Sequence, residues 1–264
     1  MDELSTLQFL IVGLIFVWSG FVRSGLGFGG AVLSLPLLLL VHNDPLTFLP
    51  IISIQLLLFS AITVVYNLSR FVPEHRQVID NHGERLPAVN WDYLKHALWI
   101  MIIPKLIGVF GVITLPGSLM SGIIFCIVAI YSLSYILDRP FVSRSRTLDV
   151  VFLILGGYAS GTSLIGAPLI ITVFAQHVPR NQLRNTLFAL WFVLVAIKIA
   201  AFILAGVDMQ LAQQLSLLPA ATLGHLIGLR FHLYTLRADT KVFYRIIGSI
   251  LLIISTAGIY QILI

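Results

Sequence analysis

Between Glu3 and Asp44 this chain carries a single full charge, Arg23, and between Asp149 and Arg180 it carries none. Apolar stretches of this kind read as membrane spans, because about 20 helical residues cross a hydrocarbon core roughly 30 Å thick. The remainder follows the same pattern. Hydrophobic residues make up 58% of the chain and charged residues 10%, against about 25% charged in ordinary soluble domains. With a mean hydropathy of +1.00, a water-soluble fold is excluded, and the expectation is an all-α polytopic membrane protein.

Apolar runs fall at 4–41, 45–68, 91–113, 117–137, 147–177, 182–205, 211–236 and 241–264. Six of them have the length of one crossing helix. The runs 4–41 and 147–177 are too long for a single crossing, and each is interrupted. The first contains Ser24-Gly25-Leu26-Gly27-Phe28-Gly29-Gly30, and the second Ser160-Gly161-Thr162-Ser163-Leu164-Ile165-Gly166-Ala167-Pro168. Glycine is costly within a helix, and Pro168 suits the first turn of a new one. Each run is therefore expected to be two half-helices joined by a break inside the membrane.

The two breaks correspond. At one constant offset Gly20 aligns with Gly157, Ser24 with Gly161 and Gly29 with Gly166; at a second, Leu106-Ile107-Gly108 aligns with Leu226-Ile227-Gly228. The chain divides into halves 1–140 and 141–264, each a broken or re-entrant segment followed by three transmembrane helices.

Charge decides between topologies. If each broken segment crosses once, basic loops lie on both faces of the membrane. If each goes in and returns, Arg70, Arg76, Arg85, Lys95, Arg139, Arg144, Arg146, Arg180, Arg184, Arg237 and Lys241 share one side. The loops at 42–44, 114–117 and 206–210, which have no Lys or Arg, then lie opposite. The positive-inside rule prefers the second arrangement. It puts both termini in the periplasm of a bacterial-type inner membrane and makes the halves inverted, as in many secondary transporters. The net charge of +5 thus belongs to loops that orient the chain, not to a nucleic-acid face. Asp2 and Glu3 at the start argue against a cleavable signal peptide, and Cys126, the single cysteine, cannot form an intrachain disulfide.

The stretch from Gly20 to Ala31, with Pro36-Leu37-Leu38 after it, resembles the opening signature of the sulfite exporter TauE/SafE family. Ser160-Gly161 through Gly166-Ala167-Pro168 looks like a degraded copy of that family's second glycine motif, with Leu164-Ile165-Gly166-Ala167 where the family has several glycines. The resemblance covers most of the chain in span order. It implies a permease for sulfur-containing anions such as sulfite and organosulfonates, working mostly as an exporter.

The residues give their own reasons to expect an anion. A helix that starts inside the membrane leaves its first N–H groups unpaired there, at the positive end of its dipole. Two such starts, near Gly30-Ala31 and Ala167-Pro168, would meet about the repeat axis. Gly25, Gly27, Gly29, Gly30, Gly161 and Gly166 allow close backbone approach, while Ser24, Ser160, Thr162 and Ser163 offer hydroxyls. The competing reading of Gly25-x-x-x-Gly29 is a close helix-packing face. All acidic residues lie in loops or at span ends, whereas Arg23, Lys105, Lys198 and His225 lie deep. Intramembrane cations without carboxylates favour an anion-attracting cavity. Lys105 and His225 correspond between the halves and would both face the axis. Lys198 could instead snorkel to the interface, Arg23 could cap the last carbonyls of its half-helix, and His225 could be a neutral packing residue.

Three motifs are set aside. Gly25-Leu26-Gly27-Phe28-Gly29-Gly30 matches a dinucleotide fingerprint in letters, but no strand surrounds it. Ser160 with His225 has no local geometry for a protease. His75 and His82 lack the cluster that a metal site needs. The expected function is a non-enzymatic anion exporter using alternating access; anion uptake and a non-transporting assembly or sensor subunit are the alternatives. The expected partners are a small anionic substrate and the lipid bilayer, with no nucleic acid and no cofactor; homo-oligomer formation is left open.

Overall fold

The computed structural model describes residues 4–26, 30–69, 77–79, 85–87, 89–139, 141–235 and 240–264. Among them lie ten helices: α1 (Thr6–Leu26), α2 (Gly30–Val41), α3 (Pro45–Ser69), α4 (Trp91–Thr114), α5 (Gly117–Ile136), α6 (Arg146–Ser163), α7 (Ala167–His177), α8 (Arg180–Leu204), α9 (Leu211–Thr235) and α10 (Thr240–Leu263). Two short strands, β1 (Gln77–Ile79) and β2 (Arg85–Pro87), pair antiparallel with Val78 opposite Leu86. This small hairpin in the polar loop is the only departure from the all-helical expectation among the described residues.

Five of the helices are long and apolar enough to cross a membrane: Thr6–Ser24, Trp91–Thr114, Gly117–Ile136, Arg180–Leu204 and Arg245–Leu263. They present large apolar side chains outward, as a lipid-facing surface requires. On α4, Trp99, Ile103 and Phe110 are all exposed, while Leu94, Ala97, Met101, Lys105, Gly108, Val109 and Val112 are buried.

The two long apolar runs do break, but not into equal halves. α1 has 21 residues and α2 has 12; α6 has 18 and α7 has 11. At 1.5 Å per residue α1 is long enough to cross and α6 nearly so, and the second member of each pair reaches roughly half as far. α6 ends because Leu164 adopts a left-handed conformation, φ 62°, with its N–H donated to the Ser160 carbonyl at 3.2 Å. A new helix then starts with Gly166 as N-cap and Pro168 in its first turn.

In both cases the chain folds back. α2 packs on α1 and α7 packs on α6. Gln8, at the start of α1, donates through Nε2 to the Val41 carbonyl at the end of α2, 3.4 Å away. His177, at the end of α7, pairs with Asp149 at the start of α6 at 2.8 Å. Each broken segment thus returns to the level where it began.

Other contacts group the loops. Gly117 lies beside Asn43, Asp44 and Pro45. At the other end Gln182 donates to the Pro87 carbonyl at 2.6 Å, and the Asn90 amide to Thr186 at 3.0 Å.

Two close crossings hold the first member of each broken segment against another helix. α1 lies along α9 and α4 along α6. In the first crossing a Cβ on Gly20 would overlap the Ala221 carbonyl, and one on Gly224 the Val17 carbonyl. In the second, a Cβ on Gly161 would overlap the Lys105 carbonyl, and one on Gly157 would sit 2.8 Å from the Met101 oxygen. Lipid supplies no hydrophobic drive between helices, so small residues that let backbones touch are what brings them together. α3 packs on α8 and α5 on α10.

Candidate functional site

The close α4–α6 crossing sets Lys105 against the end of α6. Its side chain is fully buried, and Nζ donates to the Ser160 carbonyl at 3.2 Å and to Ser160 Oγ at 3.1 Å. From α8, Lys198 reaches the same helix end. It too is fully buried, with Nζ 2.6 Å from the Gly161 carbonyl and 3.1 Å from that of Thr162. The Phe202 ring, one turn further along α8, lies 5.3 Å from this ammonium.

Two lysines therefore cap one helix terminus. The last carbonyls of a helix lack amide partners and carry roughly half a negative charge. Among the described residues no carboxylate is a hydrogen-bond partner of either lysine. A buried pair of basic side chains facing no carboxylate among the described residues is a setting that favours an anion.

The hydroxyls divide by role. Only that of Ser160 reaches a lysine. Thr162 Oγ1 donates to the Ala159 carbonyl at 3.2 Å, and Ser163 Oγ to the same carbonyl at 2.9 Å, so both are turned back onto their own helix. Gly161 serves the crossing and offers its carbonyl to Lys198. Gly166 packs so closely that a Cβ there would overlap the Gly156 carbonyl.

A second cluster lies at the end of α1. Ser24 Oγ and His225 Nδ1 share a hydrogen bond between α1 and α9. The His225 ring stands 4.8 Å from that of Phe59 on α3. Arg23 lays its guanidinium over the other partner in this group, with Cζ 4.1 Å from the Phe59 centroid. Gly30 opens α2 beside Ser19 and the Arg23 Cβ, and its carbonyl accepts from Ser34 at 2.6 Å and Ser19 at 3.4 Å.

Twelve of the fourteen candidate residues thus sort into two sets. Lys105, Lys198, Ser160, Gly161, Thr162, Ser163 and Gly166 belong to the end of α6; Arg23, Ser24, Gly25, Gly30 and His225 belong to the end of α1. Gly27 and Gly29 lie outside the described residues. Lys105 and His225 are each engaged in a different set. Lys198 does not snorkel; its head group is inside, on helix carbonyls. Carbonyl capping is seen at the end of α6, by Lys105 of α4 and Lys198 of α8. Phe59 and Ser19 were not foreseen: one aromatic or serine among many in an apolar run carries no distinguishing signal.

A bundle of apolar helices with two folded-back broken segments and buried cations at their ends defines a polytopic membrane protein of transporter type. The profile of the family described as Sulfite exporter TauE/SafE matches residues 12–257. The chain belongs to that family of membrane transporters. No curated protein and no solved structure matches it.

Proposed function

We propose that the chain is a permease that exports small anions, sulfite or organosulfonates, across a bacterial-type inner membrane. The observation that carries this is the pair of buried lysines, Lys105 and Lys198, converging on one helix end without a carboxylate. An anion bound there completes the charge balance that the α6 carbonyls only begin.

Alternating access in this reading comes from inverted halves, 1–140 and 141–264, rocking against each other. Supporting it, α1 packs on α9 as α6 packs on α4, while α3–α8 and α5–α10 join corresponding helices of the two halves. Lys105 in α4 and His225 in α9 each lie roughly 21 Å from the start of their helix, close to its centre. With the halves inverted, the two clusters fall on opposite sides of the midplane. The grouping of loops also supports a topology with basic loops cytoplasmic and both termini periplasmic.

No further coupling is needed for export in principle. An interior-negative potential drives an anion outward by about 2.3 kcal/mol per charge per 100 mV. The test is wild-type protein in liposomes loaded with radiolabelled sulfite or methanesulfonate. Efflux should exceed that of protein-free liposomes and rise when the interior is made negative. Equal efflux with and without protein would end the proposal.

A further inference from the structure

The lysine pair spends its donors on helix carbonyls, whereas the arginine does not. Nε and Nη2 of Arg23 are buried and have no hydrogen-bond partner among the described residues. These two atoms form one edge of the guanidinium, the edge on which two N–H bonds run parallel. A buried donor left unmade costs about 1–3 kcal/mol, more for a charged group. An arginine with an entire edge in that condition needs a physical reason.

Its surroundings supply no internal answer. Phe59 covers one face of the guanidinium plane, at 4.1 Å, which fixes the plane without using any N–H. Ser24 and His225 are occupied with each other. The α2 side presents Gly30, where a side chain would press on Arg23 and Ser19. His225 from α9 is the titratable neighbour, and it contributes no carboxylate. The fork is therefore oriented, buried and without a partner among the described residues.

We infer that the Nε–Nη2 edge of Arg23 is a second anion subsite, specific for an oxyanion that offers two oxygens side by side. A sulfonate, a sulfite or a carboxylate matches two parallel N–H donors about as well as any ligand can, and the pairing is shorter and stronger than neutral hydrogen bonds. A halide, with one centre, cannot use both. Lysine cannot reproduce the fork, since its ammonium is a point charge on a flexible stem. The inference deepens the transport reading: the lysine pair attracts negative charge of any shape, and Arg23 selects the oxyanion shape at the end of α1.

The experiment compares wild type, Arg23→Lys and Arg23→Gln in detergent, measuring protection of the protein against heat by methanesulfonate and by bromide. Wild type should bind methanesulfonate at least tenfold more tightly than bromide. Arg23→Lys should bind bromide as before while losing about tenfold in methanesulfonate affinity, and Arg23→Gln should lose more. An unchanged preference for methanesulfonate in Arg23→Lys overturns the inference. Should either variant not elute as a folded species, the wild-type protein still decides. Phenylglyoxal modification of Arg23, read by mass spectrometry, should be suppressed by methanesulfonate and not by equal bromide. Equal modification in both, or none at all (no water-borne anion reaches the fork), counts against it. Because this readout is binding, a protein that binds through Arg23 but moves no anion would sink the transport reading and leave the subsite standing.

Discussion

At the end of α6, two lysines spend donors on helix carbonyls; at the end of α1, an arginine leaves one buried edge without a partner among the described residues. The frames around them are alike. Each helix belongs to a folded-back segment, each is held by a glycine-lined crossing, and each offers a serine to a deep side chain of the crossing helix: Ser160 to Lys105, Ser24 to His225. The difference shows that a repeated backbone can hold two chemically distinct sites. One cluster gathers basic side chains at a helix end, the other displays a shaped donor.

The comparison breaks most readily at the crossings. Replacing Gly224 or Gly161 by Leu drives a side chain into a facing carbonyl. Overpacking of a tight contact costs about 1–3 kcal/mol or more, so both variants should yield little monodisperse protein and a depressed melting temperature. Gly13, with nothing within 4 Å of a Cβ, should accept Ala with no loss. Should Gly224→Leu behave like Gly13→Ala, α1 and α9 do not cross as described.

The chemical asymmetry predicts a smaller, selective effect. Lys198→Met keeps much of the buried volume and removes two charge-assisted bonds worth about 1.5–3 kcal/mol each. Anion efflux in liposomes should fall more than tenfold for sulfite and for halide alike. His225→Gln retains a polar group opposite Ser24 and should lower efflux only two- to fivefold. A larger loss in His225→Gln than in Lys198→Met would reverse the roles assigned to the two clusters. Least affected should be Asp149→Asn. It weakens an ion pair with His177 whose side chain is 38% exposed, and such pairs contribute about 0–1 kcal/mol; the melting temperature should move by no more than a few degrees.

Much of this was legible in the sequence, for reasons particular residues make plain. α4 and α5 begin at Trp91 and Gly117, where the apolar runs begin, because punctuation such as Asn90 and Pro116 bounds them. Asn90 caps α4 by accepting from the Tyr93 amide at 3.1 Å. The second break was visible in Gly166 and Pro168. Its position along the run was not, since nothing in the letters says that Leu164 takes the left-handed turn. That Lys105, Lys198 and Arg23 lie at membrane depth followed from their isolation among apolar residues, but whether Lys198 snorkels or turns inward did not. Which atoms they touch did not: an apolar helix exposed to lipid on one side and protein on the other shows no polar stripe to mark its inner face. Phe59 stayed hidden for that reason, and so did the partnerless edge of Arg23.

The claim on which the rest depends is that buried ammonium groups at the end of α6 hold the transported anion. Lys105→Met, purified, shown to elute and melt as a folded protein and placed in liposomes, measures it directly. The account predicts loss of radiolabelled sulfite or methanesulfonate efflux to the protein-free level. Wild-type efflux from that variant would contradict it.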